Sequence, residues 1–177
     1  MSTTKWGLDP THSEIGFKVR HMMLTNVSGS FNEFTADAET EGEDFTTAKI
    51  NFSAATKSIN TNNEQRDQHL QSPDFFDKDK YPAITFKSTN FVKQDEDTFK
   101  LEGDLTIKDV TKKVALQVEY GGVSKDPWGN NKAGFSLSGK INREDFGLTW
   151  NAALETGGVL VSNEVKLHAE IQLVKQA

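Results

Sequence analysis

Apolar and polar residues alternate along most of this chain. In Ser13–Arg20, Ile15, Phe17 and Val19 fall on one side, with Glu14, Lys18 and Arg20 on the other. Thr47–Ala55 sets Ala48, Ile50 and Phe52 against Lys49, Asn51 and Ser53, and Ala83–Val92 sets Ile84 and Phe86 against Thr85 and Lys87. Thr98–Lys108, Val114–Tyr120, Ala133–Arg143 and Glu164–Lys175 repeat the pattern with Phe99, Leu105, Val118, Phe135, Leu137, Ile171 and Leu173 on their apolar sides. A period of two with one dry and one wet side predicts strands of an antiparallel sheet.

Turn chemistry separates the runs at Gly42-Glu43-Asp44, Gln94–Asp97, Gly121-Gly122 and Asp126–Asn131. Gly16, Gly29, Gly103 and Gly139 stand inside strands, where glycine marks bulges or bends that help a sheet curl closed. One stretch differs. Thr61–Ser72 is polar and rich in helix formers, and Thr61 with Glu64 has capping-box spacing, which predicts a short helix. A second helical turn is expected near His21–Leu24. No linker or repeat interrupts the chain, so residues 1–177 read as one all-β domain. The expected architecture is an antiparallel β-barrel of about eight strands with one or two short helices.

Composition narrows the function. The 12 Phe far outnumber the 2 Tyr and 3 Trp and recur on the apolar sides, so the interior is expected to be rich in rings without polar tips. Cysteine is absent, which excludes disulfides, thiolate catalysis and thiolate metal sites. A net charge of −6 argues against a nucleic-acid partner. No apolar run has the length of a membrane span or a signal peptide, so a cytoplasmic location is expected, or a periplasmic one if a leader has been removed.

The four histidines, His12, His21, His69 and His168, lack metal-binding spacing, so neither a metal nor a cofactor is expected. No nucleophile elbow, phosphate-binding loop or dinucleotide fingerprint is present. Arg66-Asp67-Gln68-His69-Leu70 is the most suggestive polar cluster, placed on the expected helix where it could plug or line a barrel end. Strands of about 10 residues, tilted near 40°, make a barrel roughly 25 Å tall, long for a compact ligand and suited to a chain. The pattern alone does not distinguish a filled interior from a hollow one.

Several motifs run in a familiar order. They begin with Trp6-x-Leu8-Asp9-Pro10-x-His12-Ser13-x-Ile15-x-Phe17-x-Val19-x-His21-Met22 and Val27-x-Gly29-x-Phe31-x-x-Phe34. Asn63-x-x-Arg66-Asp67-x-His69-Leu70-x-Ser72-x-Asp74-Phe75-Phe76-Asp77 follows, then Tyr81-Pro82-x-Ile84-x-Phe86-x-Ser88. Gly103-x-Leu105-Thr106-Ile107-x-x-Val110-Thr111, Trp128-Gly129, Gly134-Phe135 and Arg143-x-Asp145-Phe146-Gly147-Leu148-x-Trp150 complete the series. Over nearly its whole length the chain resembles the YceI-like family. Asp109 departs from the pattern, standing where the family often has glycine, and is expected to alter one turn.

The resemblance implies an extended lipocalin-like barrel around an elongated apolar tunnel. It implies binding of polyisoprenoids, isoprenoid quinones or long-chain fatty amides, often by bacterial homodimers with roles in isoprenoid metabolism, transport or stress response. On this reading the protein is a non-enzymatic carrier or store for a long isoprenoid-type lipid. Phe17, Val19, Phe52, Ile84, Phe86, Leu105, Phe135 and Leu137 would line the tunnel, with Phe146 and Trp150 near one end. His12, His21, Arg66, Asp67 and His69 would form a polar mouth. Three rivals stay open: an enzyme acting on a lipid or quinone through a histidine–carboxylate pair at the mouth, a binder of fatty amides or fatty acids, and a packed barrel that serves as a protein-interaction module.

Overall fold

The computed structural model describes residues 2–152 and 160–176. The strands are β1 (Thr3–Leu8), β2 (Glu14–His21), β3 (Thr25–Phe31), β4 (Phe34–Glu41), β5 (Asp44–Ala55) and β6 (Ile59–Asn60). They continue as β7 (Ala83–Lys93), β8 (Thr98–Ile107), β9 (Val110–Lys125), β10 (Asn131–Asn142) and β11 (Val161–Lys175), with one helix, α1 (Glu64–Gln71). Strands β1, β4, β5, β7, β8, β9, β10 and β11 pair in that order, and β11 returns to β1, closing an eight-stranded antiparallel barrel.

The length of the barrel comes from β11. Its 15 residues offer one edge to two strands in tandem: β1 pairs with Leu173–Lys175, and β2 with residues between Val161 and Glu170. Strand β2 then carries β3, and β3 carries the short β6. Between β3 and β4 the chain changes partner. Asn32 N donates to Ser58 O at 3.1 Å and Ala55 N donates to Glu33 O at 2.9 Å, so the backbone stays satisfied through the switch.

The two ends differ. At the lower end, beside the β4–β5, β7–β8 and β9–β10 turns, Trp6, Phe45, Tyr120, Phe135, Phe91 and Phe99 form a plug of touching rings. Trp6 lies 5.0 Å from Phe45, Phe45 lies 5.0 Å from Phe135, and Phe91 stacks on Phe99 at 4.8 Å. Trp6 is 1% exposed, and its ring N–H donates to Thr40 Oγ1 at 2.9 Å. The upper end is covered by α1 and the segment after it, with Phe76 set edge-on to Phe31 at 5.9 Å.

Four local expectations change. The helix cap is Asn63, whose side chain accepts from Arg66 N, because Thr61 is two residues too early and instead donates to Asp67. Residues 22–24 are a hairpin turn and not a helix, with φ of 53° at Met22 and 58° at Met23. Gly121-Gly122 is no loop. Strand β9 runs straight through it, and the register steps from Gly134↔Gly122 to Phe135↔Tyr120, leaving Gly121 as the extra residue of a bulge. Finally, Gly29 serves ring packing: a Cβ there would lie 2.3 Å from Phe17 Cζ, its cross-strand partner's ring. Gly103 likewise makes room for the Phe86 ring, and there the expected irregularity is also present, since Ser88, its partner, borders a register shift.

Candidate functional site

Inside the barrel lie two adjoining apolar chambers. The lower one, of about 150 Å³, rests on the aromatic plug and is walled by Phe45, Ile50, Phe86, Phe91, Leu101, Val118, Phe135, Leu137 and Ile171. The upper one, of about 320 Å³, is walled by Phe17, Val19, Phe31, Ile84, Ile107, Leu148, Trp150 and Val165, and roofed by Leu70, Phe75 and Phe76. Ile15, Phe52, Leu105 and Leu167 border both chambers and form a collar between them. These four come from β2, β5, β8 and β11, and each occupies an inward position of the alternating pattern. The two chambers meet at these four side chains inside the barrel, and together they fall in the size range of small-molecule sites.

Asp37, Ser138 and His168 border the lower chamber, and a larger set of polar groups gathers at the upper one. Arg143, 2% exposed, borders it and spreads its guanidinium over backbone carbonyls. Its Nε donates to Ser162 O at 2.9 Å, and Nη1 donates to Leu148 O at 2.5 Å and Trp150 O at 2.9 Å. Burial pushes the Arg143 guanidinium down from its ordinary pKa. The side chain thus ties the 148–150 turn to the start of β11 and holds Trp150 over the chamber.

Arg66 also borders the chamber, donating from Nε to Thr61 Oγ1 at 2.8 Å and from Nη2 to Thr61 O at 2.6 Å. Thr61 in turn donates from N and Oγ1 to Asp67 Oδ1 at 2.9 and 2.5 Å. His69 Nε2 meets Asp74 Oδ2 at 2.9 Å while its ring sits edge-on to Trp150 at 4.8 Å and Phe75 at 5.1 Å. The helix is thereby locked over the chamber by hydrogen bonds at its start and an aromatic contact at its end.

Of the ten residues expected to form the wall, nine border a chamber: Phe17, Val19, Phe52, Ile84, Phe86, Leu105, Phe135, Leu137 and Trp150. Phe146 does not; it is 2% exposed and packed in the core, because the 3-10 turn Arg143–Phe146 directs it away from the cavity. His21, Arg66 and His69 border the upper chamber. Asp67 stands one step behind, holding Thr61. His12 is far from the others, since it precedes β2 and His21 ends it, and eight strand residues span about 26 Å. There His12 Nδ1 meets Asp9 Oδ2 at 2.9 Å, and Lys132 Nζ meets the same oxygen at 2.7 Å. The Lys132 ammonium, above all, holds the Asp9 carboxyl well below the usual carboxylate range.

Sequence reading missed Arg143 as a structural anchor, because an arginine at the end of an alternating run looks solvated. It missed Leu167 as a wall residue only by not naming it, since it continues the pattern of β11. Among the described residues, no three His, Asp or Glu side chains come together as a metal site.

A YceI-like domain model matches residues 6–173. This chain belongs to the YceI-like family. It is 41% identical over 170 residues to a UPF0312 protein of Staphylococcus aureus strain N315, covering 96% of each chain. The crystal structure of the Campylobacter jejuni YCEI protein is 36% identical, with a TM-score of 0.77 over 96% of this chain and 97% of that one. A polyisoprenoid binding domain from Saccharophagus degradans shares the fold at a TM-score of 0.73 over 97% and 98% of the two chains, with 15% identity. The closed antiparallel barrel and its tandem pairing along β11 are therefore this YceI-like protein's version of a shared architecture.

Proposed function

We propose that this YceI-like protein binds a long-chain isoprenoid-type lipid in its barrel and carries or stores it without altering it. The observation that carries the reading is the pair of apolar chambers that share the collar of Ile15, Phe52, Leu105 and Leu167. A linear hydrocarbon with methyl branches can thread such a collar, and a compact ligand gains nothing from the second chamber. Affinity comes from apolar area removed from water, about 25 cal/mol per Å², less the ordering of the chain. The S. degradans domain, which bears polyisoprenoid binding in its name, supports the ligand class through the common fold. The basic and hydrogen-bonding groups at the upper chamber support an orientation with the lipid head there and its tail toward the aromatic plug.

Native mass spectrometry of the purified protein, followed by organic extraction, tests this. The expected result is a stoichiometric adduct that releases an intact isoprenoid chain. A protein that stays empty after incubation with polyprenol and ubiquinone micelles overturns it. The enzymatic alternative draws on one observation, the His69–Asp74 pair beside the chamber. It requires the released lipid to change mass during incubation, and to stop changing in His69→Gln.

A further inference from the structure

Two features of the outer surface lie outside the tunnel, the first at its upper rim and the second on the wall below that rim. The first is the β2–β3 turn. Met22, Met23 and Leu24 are consecutive, and they are 39%, 57% and 72% exposed. Neighbouring residues Arg20, His21 and Val27 border the upper chamber, so the apolar tip begins where the cavity meets the surface. Met22 and Met23 both take positive φ without being glycine, a conformation that L-residues adopt only at a cost. The tip is held in that shape by Arg20, whose Nη2 donates to Met23 O at 2.9 Å, and by Met22 N donating to Leu160 O at 2.8 Å. Side chains of this size, kept exposed on a rigid turn, form a contact surface.

The second feature is a band of lysines on the outer wall beside that turn. Lys18 on β2 is paired in register with Lys166 on β11, and Lys166 with Lys140 on β10. Like charges directly opposite one another weaken a sheet. Among the described residues neither Lys18 nor Lys166 has an ion-pair partner, and Lys140 meets only Glu164, at 3.9 Å. These lysines line a shallow groove that also contains His168 and runs to Lys100 and Gln94 by the β7–β8 turn, and among the described residues no carboxylate borders it. Arg20 continues the basic side of β2 toward the tip, four residues of strand, or about 13 Å, separating Lys18 from Met22. Further along β2 and β11, Glu14 and Glu170 face each other, which ends the basic row on those two strands. In a chain of net charge −6, this is a local inversion of sign.

We propose that this face docks on an anionic lipid bilayer, with Met22, Met23 and Leu24 dipping among the head groups and Lys18, Lys140 and Lys166 resting on them. The apolar tip suits the hydrocarbon boundary, and the lysines suit lipid phosphates, each adding attraction that salt screens. Docked in this way, the rim of the upper chamber faces the bilayer, and a lipid tail passes between membrane and barrel without crossing water. The inference rests on the carrier reading for its purpose and on the surface for its substance.

Flotation of the intact protein with vesicles of phosphatidylcholine alone, or with 30 mol%, as roughly a third, phosphatidylglycerol, separates the terms. The wild type is expected to float with the anionic vesicles and to be released at about 0.5 M salt, where screening is short-ranged. Met23→Ser/Leu24→Ser is expected to lose about tenfold or more in vesicle affinity, and Lys18→Gln/Lys166→Gln to lose the preference for the anionic lipid. Circular dichroism melts of both variants establish that they fold, and Lys140→Gln serves as a second, milder charge variant. A wild type that stays in the aqueous fraction with both vesicle types overturns the proposal. So does a tip variant that floats normally but converts a dimer to a monomer in light scattering, which makes the tip an interface between copies. Native mass spectrometry on the same samples keeps the two readings apart. Lipid retained without flotation removes the docking and leaves the carrier, and flotation of a protein that never loads lipid does the reverse.

Discussion

Single residues in this barrel show how a local cost signals a role. Lys108 in the β8–β9 turn has φ of 59°, whereas Asp109, the residue that departs from the family pattern, is not in the left-handed region. Lys108→Gly is therefore expected to raise stability by about 1 kcal/mol in urea unfolding; an unchanged midpoint would mean that the lysine side chain offsets the strain. Arg143 poses the opposite case. Its guanidinium serves carbonyls of residues 148, 150 and 162, and Arg143→Leu leaves them without donors in a buried setting. A loss of about 3 kcal/mol is expected, with weaker lipid retention because Trp150 is no longer held.

Asp9 is a residue whose titration is coupled to folding. Its carboxyl is depressed by Lys132 first, with His12 and Thr11 also contributing hydrogen bonds. A depressed carboxyl contributes stability that is complete above its unfolded value, near 3.9, and disappears as pH falls through the folded value. The wild type is accordingly expected to lose urea resistance steadily below about pH 4, and Asp9→Asn to be weaker at neutral pH but flatter across that range. Parallel curves for the two proteins would show that Asp9 is not the group responsible.

At the level of elements, the barrel depends on paired strands that trade volume across their interface. Phe17 on β2 lies over Gly29 on β3, and Phe86 on β7 lies over Gly103 on β8. Both rings border the tunnel, so each glycine sets the position of a wall. Gly29→Val is expected to drive the Phe17 ring into the upper chamber, costing about 2 kcal/mol from overpacking and reducing lipid retention more than stability. Equal retention in a folded variant would show that Phe17 has room to turn elsewhere. The bulge at Gly121 has another purpose. It lets the 16-residue β9 bend without a loop, which keeps Tyr120 stacked on Phe135 in the plug at 5.2 Å.

For the molecule as a whole, a lower end filled by aromatic rings and an upper end with an exposed apolar turn at its rim make the barrel directional. The collar of Ile15, Phe52, Leu105 and Leu167 sets how far a chain can reach. Leu105→Trp is expected to block it, so that extraction releases shorter isoprenoids or leaves the upper chamber alone filled, at a stability cost of about 1–3 kcal/mol. The same distribution of chain lengths as in the wild type would place the tail outside the lower chamber. Direction also links tunnel to surface, since the exposed Met22–Leu24 turn lies at the rim of the upper chamber, where the proposed lipid would enter.

Much of this was legible in the residues themselves. Period-two alternation marked seven of the strands and most of the wall, because a side chain's side of a sheet is set by its parity. The motif series marked the family. Strands β1, β3 and β4 were harder to see, since Ala36, Ala38 and Thr40 give a weak apolar signal on β4. The separation of His12 from His21, the burial of Phe146 and the anchoring role of Arg143 were decided by tertiary structure. So was the hollow interior, because alternation fixes which residues point inward and only the curvature of the closed sheet determines whether they meet.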